Sequence, residues 1–206
     1  QIGMVEQQTG AQIVVAVIER SDAYPELPWK AFALGAAIAG SAACVLNLLQ
    51  PEGTTVATVF FAVIAALATG GAFALLTVFL PKYARLFLDA HRADMEVHQH
   101  AEALFLSREI FATRNRNGIL LLVSLFERRV VILPDKGLHE CLSQDVLREI
   151  IARMTDSLAA GQAVGALEAG LAALEQVLSA SAACRSSMNE LPDAIIQETG
   201  ESELFS

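Results

Sequence analysis

Asp135 stands in a Pro-Asp-Lys-Gly turn directly after an apolar run; Glu140 and Asp145 follow it, and Arg114 and Arg116 precede a second apolar run. Carboxylates are the hard oxygen ligands that Mg or Ca prefers. Guanidinium groups hold phosphate through forked hydrogen bonds. Such a set would perform metal-assisted hydrolysis of a phosphate ester, with Asp135 and Arg116 as candidate catalytic residues and Asp135, Glu140 and Asp145 as candidate metal ligands. A plainer reading stands beside it, because Pro, Asp and Gly together are a turn signal in their own right. No nucleophile paired with a base is evident, no DxDxT-like or CxxxxxR signature occurs, and no Gly-rich phosphate loop is present.

Other titratable groups point less sharply. His98 and His100, with Glu96 and Glu102, have residue types that suit a metal, but neighbours two apart on a helix face different directions. His91 and His98 share a face instead, among apolar residues, where ordinary packing accounts for them. Glu127, Arg128 and Arg129 form a charged hairpin tip, read either as a solvated turn or as a contact for anionic headgroups. Asp22, Tyr24 and Pro25 read as the exit turn of a strand. Cys44, Cys141 and Cys184 show no ligand spacing, so three free thiols in a reducing compartment are expected. The net charge of -9, crowded towards the carboxyl end at Glu190, Asp193, Glu198, Glu201 and Glu203, argues against nucleic acid as a partner.

The elements that position these residues are legible from periodicity. Ala11 to Glu19, Gly118 to Ser124 and Arg129 to Leu133 are β-branched or aliphatic runs of strand length, the last two separated by a hairpin-sized link. The run at 118–124 has no polar face, so it belongs in the middle of a sheet covered on both sides. Lys82 to about Thr113 reads as one long helix with Ala84, Phe87, Leu88, His91, Met95, His98, Ala101, Leu104 and Phe105 on its inner face. Ser143 is the expected N-cap of a helix that Gly161 ends, and Gln162 to Ala180 forms another. From Ser181 onward a mobile acidic tail is expected, within which Leu191-Pro-Asp-Ala-Ile-Ile196 has the apolar character to dock on something.

Two further runs, Ala31 to Leu49 and Val56 to Leu80, carry no charge and are joined by a short turn-like link. A bilayer core about 30 Å thick needs roughly 20 apolar helical residues, so each run is long enough to span it. Together they read as a transmembrane helical hairpin, and the hydrophobic content of 54% against 18% charged residues agrees with a mixed membrane and soluble chain. The opening residues lack the pattern of a cleaved leader. Lys30, Lys82, Arg85 and Arg92 flank the spans while the link carries only Glu52, which places both termini and the soluble body on the cytoplasmic side. Trp29 and Tyr83 fall where aromatic rings prefer the headgroups, and Asn47 sits near enough to an interface to be wetted.

Element order constrains the geometry. A strand, a helical crossover and a following strand favour a right-handed parallel pair, so the first two strands should be parallel and the third antiparallel to the second. Ser21, Asp22 and Glu127 then gather at one end of the sheet, next to the membrane. Arg114, Arg116, Asn117, Asp135, Lys136 and His139 gather at the other.

The segments Glu6-Gln-Gln-Thr-Gly10 with AQIVVAVIERSDAYPELPWK, and TRNRNGILLLVSLFERRVVILPDKGLHE, make the chain from about Met4 to Leu178 resemble the membrane-anchored branch of the TPM domain family, often labelled TPM phosphatase. The resemblance implies an α/β fold, a mixed sheet flanked by helices, with the hairpin inserted after the first strand. It also implies activity on phosphate esters or binding of divalent cations in some relatives. The expected organisation is residues 1–29 and 82–180 as the two parts of a TPM-like domain, 30–81 as the hairpin, and 181–206 as tail. The expected function is a binding, assembly or quality-control module on the membrane, with the lipid bilayer and a membrane or cytoplasmic protein as partners. The alternative is a phosphatase-like hydrolase using Mg or Ca.

Overall fold

A computed structural model describes residues 11–49, 55–139, 141–180 and 195–198 of the chain. They divide into two units, one comprising residues 1–23 and 91–206 and the other residues 24–90.

The first unit is a mixed sheet between helices. Its strands are β1 (Gln12–Ile18), β2 (Gly118–Ser124), β3 (Arg129–Pro134) and β4 (Ile195–Glu198), in the order β3-β2-β1-β4. β1 and β2 run parallel from Gln12 opposite Gly118 to Ile18 opposite Ser124, and β3 runs antiparallel to β2, both as expected. Alternation of side chains decides the layers. Ile13, Val15, Ile119, Leu121, Val123, Val130 and Ile132 pack with Ile150, Met154, Leu158, Leu171, Leu174 and Leu178, from two helices at 144–159 and 163–180. Val14, Ala16, Ile18, Leu120 and Leu122 pack on the other face with Val97, Ala101, Leu104 and Ile110, from the helix at 90–107 and the 3-10 turn after it. Every residue of β2 is buried, which is why it carries no polar face.

The second unit is the helical hairpin. Its long helices α1 (Glu26–Leu49) and α2 (Val56–Phe79) are both long and apolar enough to cross a membrane. They pack closely where side chains vanish: a Cβ on Gly35 would fall 2.9 Å from Phe73 and from the Thr69 carbonyl, and one on Gly70 would fall 2.9 Å from the Phe32 ring. Small residues let helices approach in this way. Thr55 and Thr58 form a capping box that starts α2. A short helix α3 (Pro81–Ala84) follows, and Tyr83 stands edge-on between Phe73 and Phe87.

Four expectations are corrected here. The stretch from Lys82 does not form one helix: α3 gives way to a 3-10 turn at 85–87, Leu88 turns extended at ψ 125°, and α4 (Ala90–Ser107) begins afresh as the chain passes from one unit to the other. The inner face of α4 is also rotated. Ala93, Val97, Ala101 and Leu104 are buried, whereas His91, Met95 and His98 are exposed. The reason is that alanine and histidine barely distinguish an inner from an outer face, so the stronger constraint, Val97 fitting the sheet, decides the rotation. Within the expected mobile tail, Ile195–Glu198 forms β4, parallel to Val15–Ile18. Residues 181–194 and 199–206 lie outside the described residues. Lastly, Cys141 is disulfide-bonded while Cys44 is free, so the chain does not carry three free thiols.

The remaining boundaries follow local chemistry. Ser143 caps α5 (Gln144–Ala159) by accepting a bond from the Val146 amide at 3.5 Å. Gly161, at φ 82°, terminates it, a conformation that costs glycine little. The helix α6 (Ala163–Ala180) then completes the second layer.

Candidate functional site

Two rims of the sheet collect polar side chains, and they are built differently. At the carboxyl ends of the parallel strands β1 and β2, the backbone pairing runs past the strands: the Leu125 amide donates to Ile18 O at 3.0 Å and the Phe126 amide to Glu19 O at 2.8 Å. This carries Glu127 inward, where it is buried. Its carboxylate accepts from the Ser21 amide at 3.0 Å, from Ser21 Oγ at 2.7 Å and from Ser124 Oγ. A buried carboxylate is tolerable only with such donors around it. Arg128, at φ 54°, turns the link between β2 and β3.

Around this buried acid lies a rim of ion pairs. Arg92 Nη2 reaches Asp22 Oδ2 at 3.2 Å and Arg92 Nε reaches Glu96 Oε1 at 3.6 Å. Arg129 Nε lies 2.6 Å from Asp94 Oδ1, and the Arg20 guanidinium sits 4.2 Å over the Phe126 ring. In open α/β sheets ligands gather at the carboxyl ends of parallel strands, which makes this rim the position of first interest. Ser21, Asp22 and Glu127 gather at this end of the sheet as expected, but Glu127 is a buried acceptor and not part of a charged hairpin tip. The signal that would have found its role is a serine ending each of two neighbouring strands, or just following it, with a carboxylate three residues after the second.

The opposite rim holds Arg116 and Asp135, two of the residues first singled out. The turn at Thr113–Asn117 and the turn at Pro134–Leu138 interlock: the Gly137 amide donates to Arg116 O at 2.9 Å, and a Cβ on Gly137 would fall 2.4 Å from Asn115 O. Only glycine permits that approach. Asp135 is buried, accepts from the Lys136 amide at 2.7 Å, and meets Arg116 Nε at 2.9 Å, an ion pair more than a directed hydrogen bond. Arg116 adopts φ 53°, uncommon for a residue with a side chain, and its guanidinium also faces the Phe111 ring at 5.7 Å.

Arg116 and Asp135 are therefore brought together, as expected. Asp145 is not in their company. It is exposed in the first turn of α5 and pairs with Arg148 at 3.0 Å. Glu140 lies outside the described residues. Arg114 and His139 are on the surface of this rim. The described carboxylates do not fit a divalent cation: Asp135 is engaged by Arg116, Asp145 by Arg148, and no group of three His, Cys, Asp or Glu side chains converges among the described residues. His91, Met95 and His98 line a groove of about 540 Å³ beside β3, with Val131 and Ile151. His98 pairs there with Glu102 at 3.3 Å.

Comparison with known proteins places this geometry. The profile described as TPM domain matches residues 75–177, half of the 206. No curated protein sequence matches the chain. Among solved structures, the NMR structure of BA42 protein from the psychrophilic bacterium Bizionia argentinensis is similar, with a TM-score of 0.53 at 15% identity, over 95% of this chain and 86% of that one. At that identity the likeness is one of fold.

Proposed function

Because the chain belongs to the TPM domain family, we propose that it is a membrane-tethered TPM domain whose α/β unit is a binding module for protein partners at the cytoplasmic face of the membrane. One observation carries the tether: the large apolar side chains of α1 and α2 point outward, with Leu48 85%, Phe61 68% and Phe79 75% exposed. In water such a surface would aggregate, whereas in lipid it is solvated. The binding role rests on the two rims, where Glu127, Asp135, Arg92 and Arg129 serve in ion pairs and buried hydrogen bonds and no nucleophile and base pair is found among the described residues.

Lys30, Lys82, Arg85 and Arg92 beside the spans favour the cytoplasmic side. The bonded state of Cys141 pulls the other way, since disulfides persist mainly in oxidising compartments. The basic flanks weigh more, because they act at insertion, before the domain folds. In intact cells, with the native cysteines replaced, Thr54→Cys should react with an impermeant maleimide and Asp156→Cys should not. The reverse pattern would put the α/β unit outside. Cross-linking in cells should recover a reproducible protein partner, and robust turnover of a substrate without any partner would sink the binding reading.

A hydrolase acting on phosphate esters is the second reading, favoured by the half-exposed Arg116 guanidinium beside Asp135. It requires aryl phosphate turnover, measured with and without Mg or Ca, that falls at least tenfold in Asp135→Ala with the fold retained. Equal rates in both proteins would assign the turnover to a contaminant.

A further inference from the structure

β3 is an outer strand of the sheet, so half of its backbone groups have no neighbouring strand to bond to. The register says which half. The Asp135 amide donates to Gly118 O at 2.8 Å, which makes these two a hydrogen-bonded pair, and such pairs recur every second residue along an antiparallel ladder. Leu133, Val131 and Arg129 therefore bond to β2. The amides and carbonyls of Val130 and Ile132 point away from it, and neither residue has a hydrogen bond on that side among the described residues. Pro134, which has no donor, ends this outward row, and the ion pair of Arg129 with Asp94 stands at its start.

The outward groups open into the groove of about 540 Å³ beside the strand. Val130, Val131 and Ile132 all line it, although successive side chains of a strand point to opposite faces, so the groove follows the strand's edge and not one of its faces. His91, Met95 and His98 of α4 form one wall and Ile151 of α5 the other. Sheet edges carry charges, bulges or proline where further pairing must be prevented. Residues 130–132 carry none of these.

We propose that the edge of β3 binds one extended, uncharged segment of another protein as an added strand, which rests on the α/β unit being a binding module and gives that module its site and its ligand. Main-chain bonds to Val130 and Ile132 supply affinity, and alternate side chains of the segment meet Met95 and His98 on one side and Ile151 on the other. Charge selects the occupant. Asp94 is engaged by Arg129 at 2.6 Å and His98 by Glu102 at 3.3 Å, and the lining has no lysine or arginine, so at neutral pH a charged side chain entering between the walls finds no free opposite charge to replace its water. The same edge of a second copy is excluded, because its own α4 and α5 would meet these walls.

The test selects binders of the full chain in detergent from displayed seven-residue segments, then measures a selected segment as a synthetic peptide. The segments recovered should be uncharged; recovery of none, or of charged ones, overturns the proposal. N-methylation of every second peptide amide should weaken binding at least tenfold in one phase of the alternation and less than threefold in the other, since only one row of an added strand faces β3. Equal effects of the two phases count against an added strand. On binding, the amides of Val130 and Ile132 should gain at least tenfold protection from hydrogen exchange, while those of Val131 and Leu133, already bonded to β2, change less. Unchanged protection at Val130 and Ile132 refutes the edge as the site. Met95→Glu alters an exposed wall position outside the core and should weaken the peptide at least tenfold with melting unchanged. A partner cross-linked in cells whose recovery is unaffected by Met95→Glu would overturn this site and leave the binding reading standing.

Discussion

The hairpin helices and the central strand are made of the same side chains and treat them in opposite ways. In β2, Ile119, Leu120, Leu121, Leu122 and Val123 are wholly buried and covered from both faces. In α1 and α2 most of the Leu, Val, Ile and Phe side chains face outward, whereas Phe32 and Phe73 pack where the helices touch each other at Gly70 and Gly35. The strand is stabilised by removing apolar surface from water, at about 25 cal/mol per Å². If the hairpin lies in lipid, as proposed, it cannot use that term between its helices and relies on close packing where glycine permits it. Apolar content alone therefore does not say where a segment's side chains point. The solvent for which the segment is built decides it.

Placing a charge in each region tests this contrast, and the largest effect is expected in the sheet. With residues 24–90 replaced by a Gly/Ser linker, the α/β unit should remain soluble and melt cooperatively, since loop closure depends only weakly on length. Val15→Asp in that protein should cost more than about 4 kcal/mol and abolish the melting transition, because an unpaired carboxylate would enter the cluster around Leu121 and Met154. Retention of a normal melt would show that β1 is not part of this core.

In the full chain, Phe61→Asp should cost about 3 kcal/mol of membrane insertion, seen as a shift from the integral to the extractable fraction. If Phe61→Asp left membrane association intact, the outward face of α2 would not be in contact with lipid.

The rims should respond less. Glu127→Ala should destabilise the α/β unit by about 2 to 3 kcal/mol in denaturant titration, as Ser21 and Ser124 lose their shared acceptor and the exit of β1 is freed from the β2-β3 link. Arg116→Ala should cost about 1 to 2 kcal/mol, because it leaves the buried Asp135 carboxylate with the Lys136 amide as its remaining donor among the contacts described here. The smallest change belongs to Asp94→Ala, at about 0.5 kcal/mol or less, since Asp94 is more than half exposed and its pairing with Arg129 is screened by water. An Asp94→Ala effect as large as that of Glu127→Ala would mean that the outer ion pairs, not the buried acid, hold this rim together.

Much of the fold was legible before any geometry. The three long strands, their directions, the Ser143 cap, the Gly161 stop and the two long apolar helices all rest on signals a few residues wide. What escaped were features whose signal is weak or distant. The rotation of α4 turned on Val97, one residue among alanines and histidines. β4 is a four-residue strand in an acidic context, too short for periodicity to announce. The pairing of Arg116 with Asp135 was within reach, because both flank strands whose register the element order dictates.

The sequence by itself determined which segments are apolar, how long they are, and hence the α/β class and the hairpin, since periodicity and burial are properties of neighbouring residues. Only the tertiary structure decided which of the gathered polar groups bond to one another. Ser21 and Glu127 are 106 positions apart and come within 2.7 Å through the parallel register of β1 and β2. Asp135 and Asp145, ten positions apart, are committed to different arginines, because the N-terminus of α5 presents Asp145 to solvent while the interlocked turns draw Asp135 inward. Separation along the chain carries no information about such contacts, because a few ångströms of register or one turn of a helix decides whether two side chains touch.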